Sequence, residues 1–318
     1  MPSGGKLRSR VLMGVALGGV LYLLFAVWAD PGALATAFRG FTWSYLALAL
    51  LLAGGNYLIR FAKWHFYLRV LRVEVPVRDS LLVFLCGLVM SITPGKLGEL
   101  LKPYLLRQIA PTPMERSAPV VLAERLTDLI SVLLLALIGI VSLGFDPRVA
   151  WVGGAMVIGL ILLVSCRPLF VVLAGVPARV TRLAPLAEKA LVARESMVDL
   201  IRPGPLLLTT ALSVPAWFLE CLAFQLILRG FGAEVPIVEA TAVYAFATIA
   251  GAVTMLPGGL GATEASMAIL LQRSLGVPMA TAAAATLVVR IATLWFAVLI
   301  GAVAMVAGRR RFEAGPAE

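Results

Sequence analysis

SITPGKLGELLKP (residues 91–103) and TMLPGGLGATEAS (residues 254–266) decide how this chain is read. Each puts a Pro-Gly step inside an otherwise apolar segment, and each is followed by an arginine in a later apolar run. From Pro94 to Arg125 is 31 positions, and from Pro257 to Arg290 is 33. A Pro-Gly break frees backbone polar groups that hydrocarbon cannot satisfy, so it is tolerated only where protein or a wet cavity covers it. Two matched breaks therefore point to two matched sites.

The surrounding composition is that of an integral membrane protein. Of 318 residues, 61% are apolar and 14% charged. The mean hydropathy is +0.98, outside the range of soluble globular domains. The net charge of +10 comes from basic residues in short segments between apolar runs. Membrane topology accounts for that placement, and no nucleic-acid partner is implied. Cys86, Cys166 and Cys221 form no closely spaced pair, which supports neither a disulfide framework nor a zinc site. No cofactor or metal is expected. His65, flanked by Trp64, Phe66 and Tyr67, reads as an interfacial aromatic-belt residue rather than a catalytic one.

Apolar runs at residues 11–28, 44–59, 119–143, 149–166, 206–228 and 278–307 are long enough, or nearly so, to span hydrocarbon. The first follows Lys6, Arg8 and Arg10 but lacks a small-x-small cleavage site, so it reads as a retained helix. Two further segments, 81–101 and 240–271, are broken at their Pro-Gly steps and read as helical hairpins or re-entrant elements. With a cytoplasmic N-terminus, most Lys and Arg, including Arg60, Lys63, Arg69, Arg72, Arg78 and Arg309 to Arg311, fall in cytoplasmic segments. The opposite side receives Arg39, Arg148, Arg229 and Arg273. On this map the first broken segment begins and ends inside and the second begins and ends outside. The expected fold is an all-α polytopic membrane protein with an inverted-topology repeat and two broken or re-entrant helical hairpins. It forms one integral membrane domain over 1–318, with repeats at about 44–143 and 206–307. A connector at about 167–203 carries Leu186, Ala190, Ala193, Met197 and Leu200 at helical spacing. It is either an amphipathic helix on the headgroups or a plain linking helix.

Ionisable residues in apolar runs need a partner, water or a function. Glu124, Arg125 and Asp128 open one span. Arg125 and Asp128, three apart, share a face, whereas Glu124 points elsewhere and seeks Lys96 or Lys102. After Pro94, glycines 95 and 98 let the chain turn, and Glu99 falls near a new helix start, where the dipole favours an anion. Gly258, Gly259 and Gly261 match them in the second segment, with Glu264 in the place of Glu99. Arg290 has Glu264 and Glu220 as candidate partners. Structural ion pairs would explain any one of these. Their repetition beside two breaks favours a lining that meets a polar substrate, and arginine's fork favours phosphate.

At RFAKWHFYL, TPGKLGELLKP, AERLTDL, LPGGLGATE and Arg290 the sequence resembles the flippase-like, or lysylphosphatidylglycerol synthase transmembrane region, family over about residues 11–307. The resemblance implies movement of lipids or lipid-linked sugars between leaflets. Glu99, Arg125, Glu264 and Arg290 are its candidate substrate or coupling residues. It also implies membrane lipids, anionic or polyprenyl-phosphate-linked, as partners, and a companion glycosyltransferase or lipid-modifying enzyme. A multi-pass protein of a bacterial-type cytoplasmic (inner) membrane with both termini cytoplasmic is expected.

With no P-loop, energy would come from a gradient or substrate flux, and Glu99, Glu124, Asp128, Glu220 and Glu264 could carry protons. An intramembrane lipid-modifying transferase and a membrane scaffold for a separate enzyme are the competing readings. The former would need a base, nucleophile or metal at close range, and no His-Glu-x-x-His, Asp-x-Asp or Gly-x-Ser-x-Gly is found. The expected answer is not an enzyme.

Overall fold

Helix ends in this chain are written largely in proline and glycine. A computed structural model describes residues 27, 31–93, 98–139, 143–144, 146, 148–165 and 184–313. Except for Val27, the expected helix at 11–28 lies outside them, as do Pro94, Gly95 and Lys96 of the first break, Cys166, and connector residues 167–183. The helices are α1 (Pro31–Arg39), α2 (Ser44–Val70), α3 (Val77–Leu88), α4 (Leu101–Ile109), α5 (Met114–Ile138) and α6 (Arg148–Ser165), then α7 (Ala184–Leu200), α8 (Pro203–Gly230), α9 (Ile237–Val253), α10 (Ala262–Leu275), α11 (Met279–Arg290) and α12 (Phe296–Glu313). A π turn, Ile291–Trp295, joins the last two into one long helix. Pro76, Pro113, Pro236 and Pro278 immediately precede α3, α5, α9 and α11, with ψ between 138° and 151°. Proline's fixed φ prepares each of these starts.

Three of these elements are long and apolar enough to cross a membrane: α2 with 27 residues, α8 with 28, and Met279–Phe312 with 34. At about 1.5 Å per residue, 27 residues reach about 40 Å against a hydrocarbon core of about 30 Å. The chain is an all-α polytopic membrane bundle, with no strand among the described residues.

α2 and α8 form the most extensive helix pair and run antiparallel. Thr42 N–H donates to Gly230 O at 3.0 Å at one end. In the middle Asn56 Nδ2 donates to Ala216 O at 2.7 Å, and near the other end Tyr67 Oη donates to Thr209 Oγ1 at 2.9 Å. Their C-terminal corners have the same geometry. Arg72 and Gly232 both take positive φ, 54° and 75°. Val73 N–H donates to Leu68 O at 2.9 Å, and Ala233 N–H to Leu228 O at 2.9 Å. Glu-Val-Pro then leads into the next helix in both places, at 74–76 and 234–236.

One expectation is corrected here. The run at 44–59 does not end at a cytoplasmic loop, because α2 continues to Val70 and carries Arg60 and Lys63 inside the bundle. Trp64, Tyr67 and Leu68 are fully buried on the same helix, so this segment gains too much by packing to leave it. Its cations are accommodated by the acids of α5. The connector helix α7 packs against α5, and Met197 and Leu200 are buried in the cluster that holds Tyr67 and Ala123. Its C-terminal half is therefore a packed linker rather than a helix resting on headgroups.

Two large apolar clusters follow each other along the bundle. On α5, Val120 to Leu126 belong to one and Val132 to Ala136 to the other. Asp128 lies in the gap between them. A third, small cluster joins the breaks: Val89, Met90 and Ile92 pack against Leu260, Leu294 and Val298. The 3-10 turns Val89–Ile92 and Pro257–Gly259 thus touch in the interior.

Candidate functional site

Each break seats a glutamate that holds an arginine from a later helix. In the second, Gly258, Gly259 and Gly261 take φ of 61°, 68° and 86°, a region that side chains with a Cβ rarely adopt. This turn leads into α10, where Glu264 Oε2 accepts the Gly261 N–H at 2.7 Å. Its other oxygen accepts Arg290 Nε at 2.7 Å, and Arg290 Nη2 donates to Gly258 O at 2.5 Å. The π turn after Arg290 rearranges the helical hydrogen bonds, and Tyr57 Oη donates to the Thr293 carbonyl at 2.7 Å. In the first break, Thr93 Oγ1 accepts the Gly98 N–H at 2.9 Å, and the next residue, Glu99, lies 3.2 Å from Arg125 Nη2. The sequence separation within the two pairs is identical: 26 positions (125 − 99 and 290 − 264).

Around the first pair the charges extend into a network. Arg125 Nη2 is 3.1 Å from Asp128, three residues on. Lys63 Nζ is 2.6 Å from the same carboxylate, and Arg60 is 3.7 Å from it. Ser213 of α8 accepts from Lys63 at 2.5 Å and donates to Asp128 at 3.1 Å. Lys102 pairs with Glu124, and its ammonium lies 4.6 Å from the Trp64 ring centroid. On the facing side Tyr244 Oη donates to Glu220 Oε2 at 2.6 Å.

A cavity of about 320 Å³ opens between these groups. Arg60, Arg125, Asp128, Glu220 and Arg290 line it together with Tyr57, Trp217 and Tyr244, as do Gly258 and Gly259 of the second break and Ser91 beside the first. Leu129, Val132, Ile249, Ala252, Met255 and Leu256 complete the wall. Met255 is 64% and Leu256 43% exposed, so the wall reaches the outer surface of the bundle through apolar side chains. The Arg125 side chain is 24% exposed against 10% for Arg290. Among the described residues, Arg60 Nε, Arg125 Nε and Trp217 Nε1 are buried donors with no acceptor.

The residues singled out in the sequence separate into three groups. Arg125, Asp128, Glu220, Arg290, Gly258 and Gly259 line the cavity. Glu99 and Glu264 sit behind the two arginines, while Pro257, Gly98 and Gly261 shape the turns. Lys102 and Glu124 pair with each other off the main cavity; Lys102 borders only a void with room for about one water. Pro94, Gly95 and Lys96 lie outside the described residues. Sequence reasoning missed Tyr57, Arg60, Lys63, Ser213, Trp217 and Tyr244. For Arg60 and Lys63 a signal was present: helical spacing of large apolar residues continues unbroken from Leu58 through Phe61, Trp64 and Leu68. No group of three or more metal-binding side chains is found among the described residues.

Residues 11–301 match the family described as Lysylphosphatidylglycerol synthase TM region. Two proteins of Methanothermobacter thermautotrophicus, each called UPF0104 membrane protein, are similar over nearly their whole length. One is 24% identical over 321 residues, covering 93% of this chain and 93% of the relative. The other is 25% identical over 306 residues, covering 91% and 90%.

Proposed function

Because this chain belongs to the lysylphosphatidylglycerol synthase TM region family, we propose that it is a flippase, moving a phospholipid or a polyprenyl-phosphate-linked headgroup between leaflets. Membership supports a flippase-like membrane-transport role. One observation carries the lipid assignment: a cavity floored by three guanidinium groups reaches the bundle surface through exposed apolar side chains. A small soluble ion would gain nothing from such a mouth. An amphipathic molecule does, with its headgroup on the floor and its chains left in lipid. The buried donors of Arg60, Arg125 and Trp217 that lack protein acceptors suit phosphate oxygens.

The reading includes an inverted repeat within one membrane domain. Antiparallel α2 and α8, their matched corners and the two Glu–Arg pairs 26 apart support it. The second break acts as a re-entrant hairpin, with α9 and α10 so close at Gly251 that a Cβ there would fall 3.4 Å from the Gly259 Cα. Both termini are assigned to the cytoplasm of an inner membrane. Arg311 bonds Asp79 at 2.9 Å and Arg116 donates to Leu71 O at 2.7 Å, gathering Arg69, Arg72, Arg78, Arg116, Arg310 and Arg311 at one end. A companion glycosyltransferase or lipid-modifying enzyme fits such a role as supplier or user of the moved lipid.

Purified protein in liposomes carrying fluorescent phosphatidylglycerol on both leaflets tests this. Chemical quenching from outside should reach beyond the outer-leaflet fraction, and Arg125→Gln should slow it. Quenching that stops at that fraction, with anionic and polyprenyl-phosphate probes alike, would overturn the reading.

A further inference from the structure

The charged groups joined around the cavity balance. Arg60, Lys63, Lys102, Arg125 and Arg290 supply five positive charges, and Glu99, Glu124, Asp128, Glu220 and Glu264 five negative ones. A headgroup bearing one negative charge would leave this desolvated site one charge short of neutrality, a state that proteins avoid by neutralising a group. Taking up a proton on a carboxylate restores the balance.

Two carboxylates line the cavity, Asp128 and Glu220. Asp128 is held by Lys63 at 2.6 Å, Arg125 at 3.1 Å and Arg60 at 3.7 Å, with the Ser213 hydroxyl at 3.1 Å. Neutralising it would strand three cations. Glu220 projects from α8 and accepts the Tyr244 hydroxyl at 2.6 Å. A protonated Glu220 keeps that hydrogen bond and gains a donor. The titratable and charged groups facing the cavity from the elements packed on α8 are Tyr57 and Arg60 of α2, Arg125 and Asp128 of α5, Tyr244 of α9 and Arg290 of α11. Helix α7, also packed on α8, contributes nothing to the lining. At the offset that matches the two corners, Glu220 stands where α2 carries Arg60 (220 − 60, as 232 − 72). One half presents a permanent cation and the other a titratable anion to the same space.

We propose that Glu220 is a proton-binding site that couples the proton to an anionic headgroup, one proton per negative charge, so that the pair crosses without net charge. The proton enters from the water that wets the open cavity and leaves with the headgroup on the far side. This inference rests on the flippase reading.

The test uses full-length protein in liposomes with fluorescent phosphatidylglycerol, which carries one negative charge, between about pH 5 and pH 8 and with or without an imposed potassium diffusion potential. The wild type should slow by up to about tenfold per pH unit above its midpoint and ignore the potential. Glu220→Gln should lose the pH dependence and become sensitive to the potential, because the anion now crosses alone. Tyr244→Phe, which keeps the carboxylate, should remain active to more alkaline pH, since it loses a donor that favours the charged form. Wild-type protein that moves no lipid overturns the flippase reading and this inference with it. Wild-type transport with a flat pH profile, or a Glu220→Gln profile like the wild type's, overturns the proton site alone. Should Glu220→Gln fail to fold, an unshifted Tyr244→Phe profile is the overturning result.

Discussion

Asn56 and Ala216 stand 160 positions apart, and the Asn56 amide donates to the Ala216 carbonyl at 2.7 Å where α2 and α8 meet. The same offset relates the two helix corners at Arg72 and Gly232. Residues in corresponding places of two related halves can touch only at the axis that relates them, so this bond marks the proposed twofold. Asn56 is fully buried. Asn56→Ala leaves the carbonyl without that donor, which costs about 1–2 kcal/mol. Thermal unfolding in detergent should show a lowered midpoint; an unchanged one would mean the bond contributes nothing.

Gly301 sets how closely α12 can approach α3. A Cβ on it would lie 2.2 Å from Val89 N and 2.9 Å from Leu88 C and Val89 Cα, all backbone atoms that no rotamer change can move. Gly301→Ala should therefore destabilise the fold by about 1–3 kcal/mol. Gly154 in α6 has nothing within 4 Å of its would-be Cβ, so Gly154→Ala should be neutral or stabilising by a few tenths up to about 1 kcal/mol. Comparing the two midpoints separates close packing from the loss of glycine as such.

How much of this was legible beforehand depended on whether local chemistry or distant packing decided the matter. The second break could be read because Pro257, Gly258, Gly259 and Gly261 write a turn that other residues resist. The Arg125–Asp128 pair followed from helical spacing, and the Lys102–Glu124 pair from a charge that had to find a partner. Arg60 and Lys63 were misplaced because a cation in sequence looks like the end of a span. Only the fold brings Asp128, 65 positions from Lys63, within 2.6 Å. Tyr57, Trp217 and Tyr244 carry no local mark, since an aromatic residue in an apolar helix reads the same whether it faces lipid, core or cavity.

Lys102 and Arg125 separate stability from transport. Lys102→Met strands Glu124, which is 1% exposed and lies off the main cavity. The expected cost is about 3–5 kcal/mol, with no specific change in lipid selectivity among molecules that remain folded. Arg125, more exposed and lining the cavity, should behave in the opposite way. Arg125→Gln should lower lipid movement by about tenfold or more, the equivalent of about 1.4 kcal/mol, while shifting the unfolding midpoint less than Lys102→Met does. Equal losses of stability in both variants would argue that Arg125 serves packing alone.

The Glu264–Arg290 pair poses a sharper question, because Glu264 is 1% exposed, Arg290 lies at the cavity wall and Gly258 lends a second acceptor. Glu264→Gln preserves shape but leaves the guanidinium without its carboxylate, and should destabilise by about 3–5 kcal/mol. Arg290→Met leaves Glu264 buried with only the Gly261 N–H and should cost a similar amount. Removing both charges relieves each stranded partner, so Glu264→Gln with Arg290→Met should be more stable than the sum of the single losses by about 1–3 kcal/mol. Stability recovered in this way should not restore transport, because the cavity has then lost a guanidinium. A double variant that regains stability and lipid movement together would show that Arg290 only holds the second break in place, and would leave Arg60 and Arg125 to meet the headgroup.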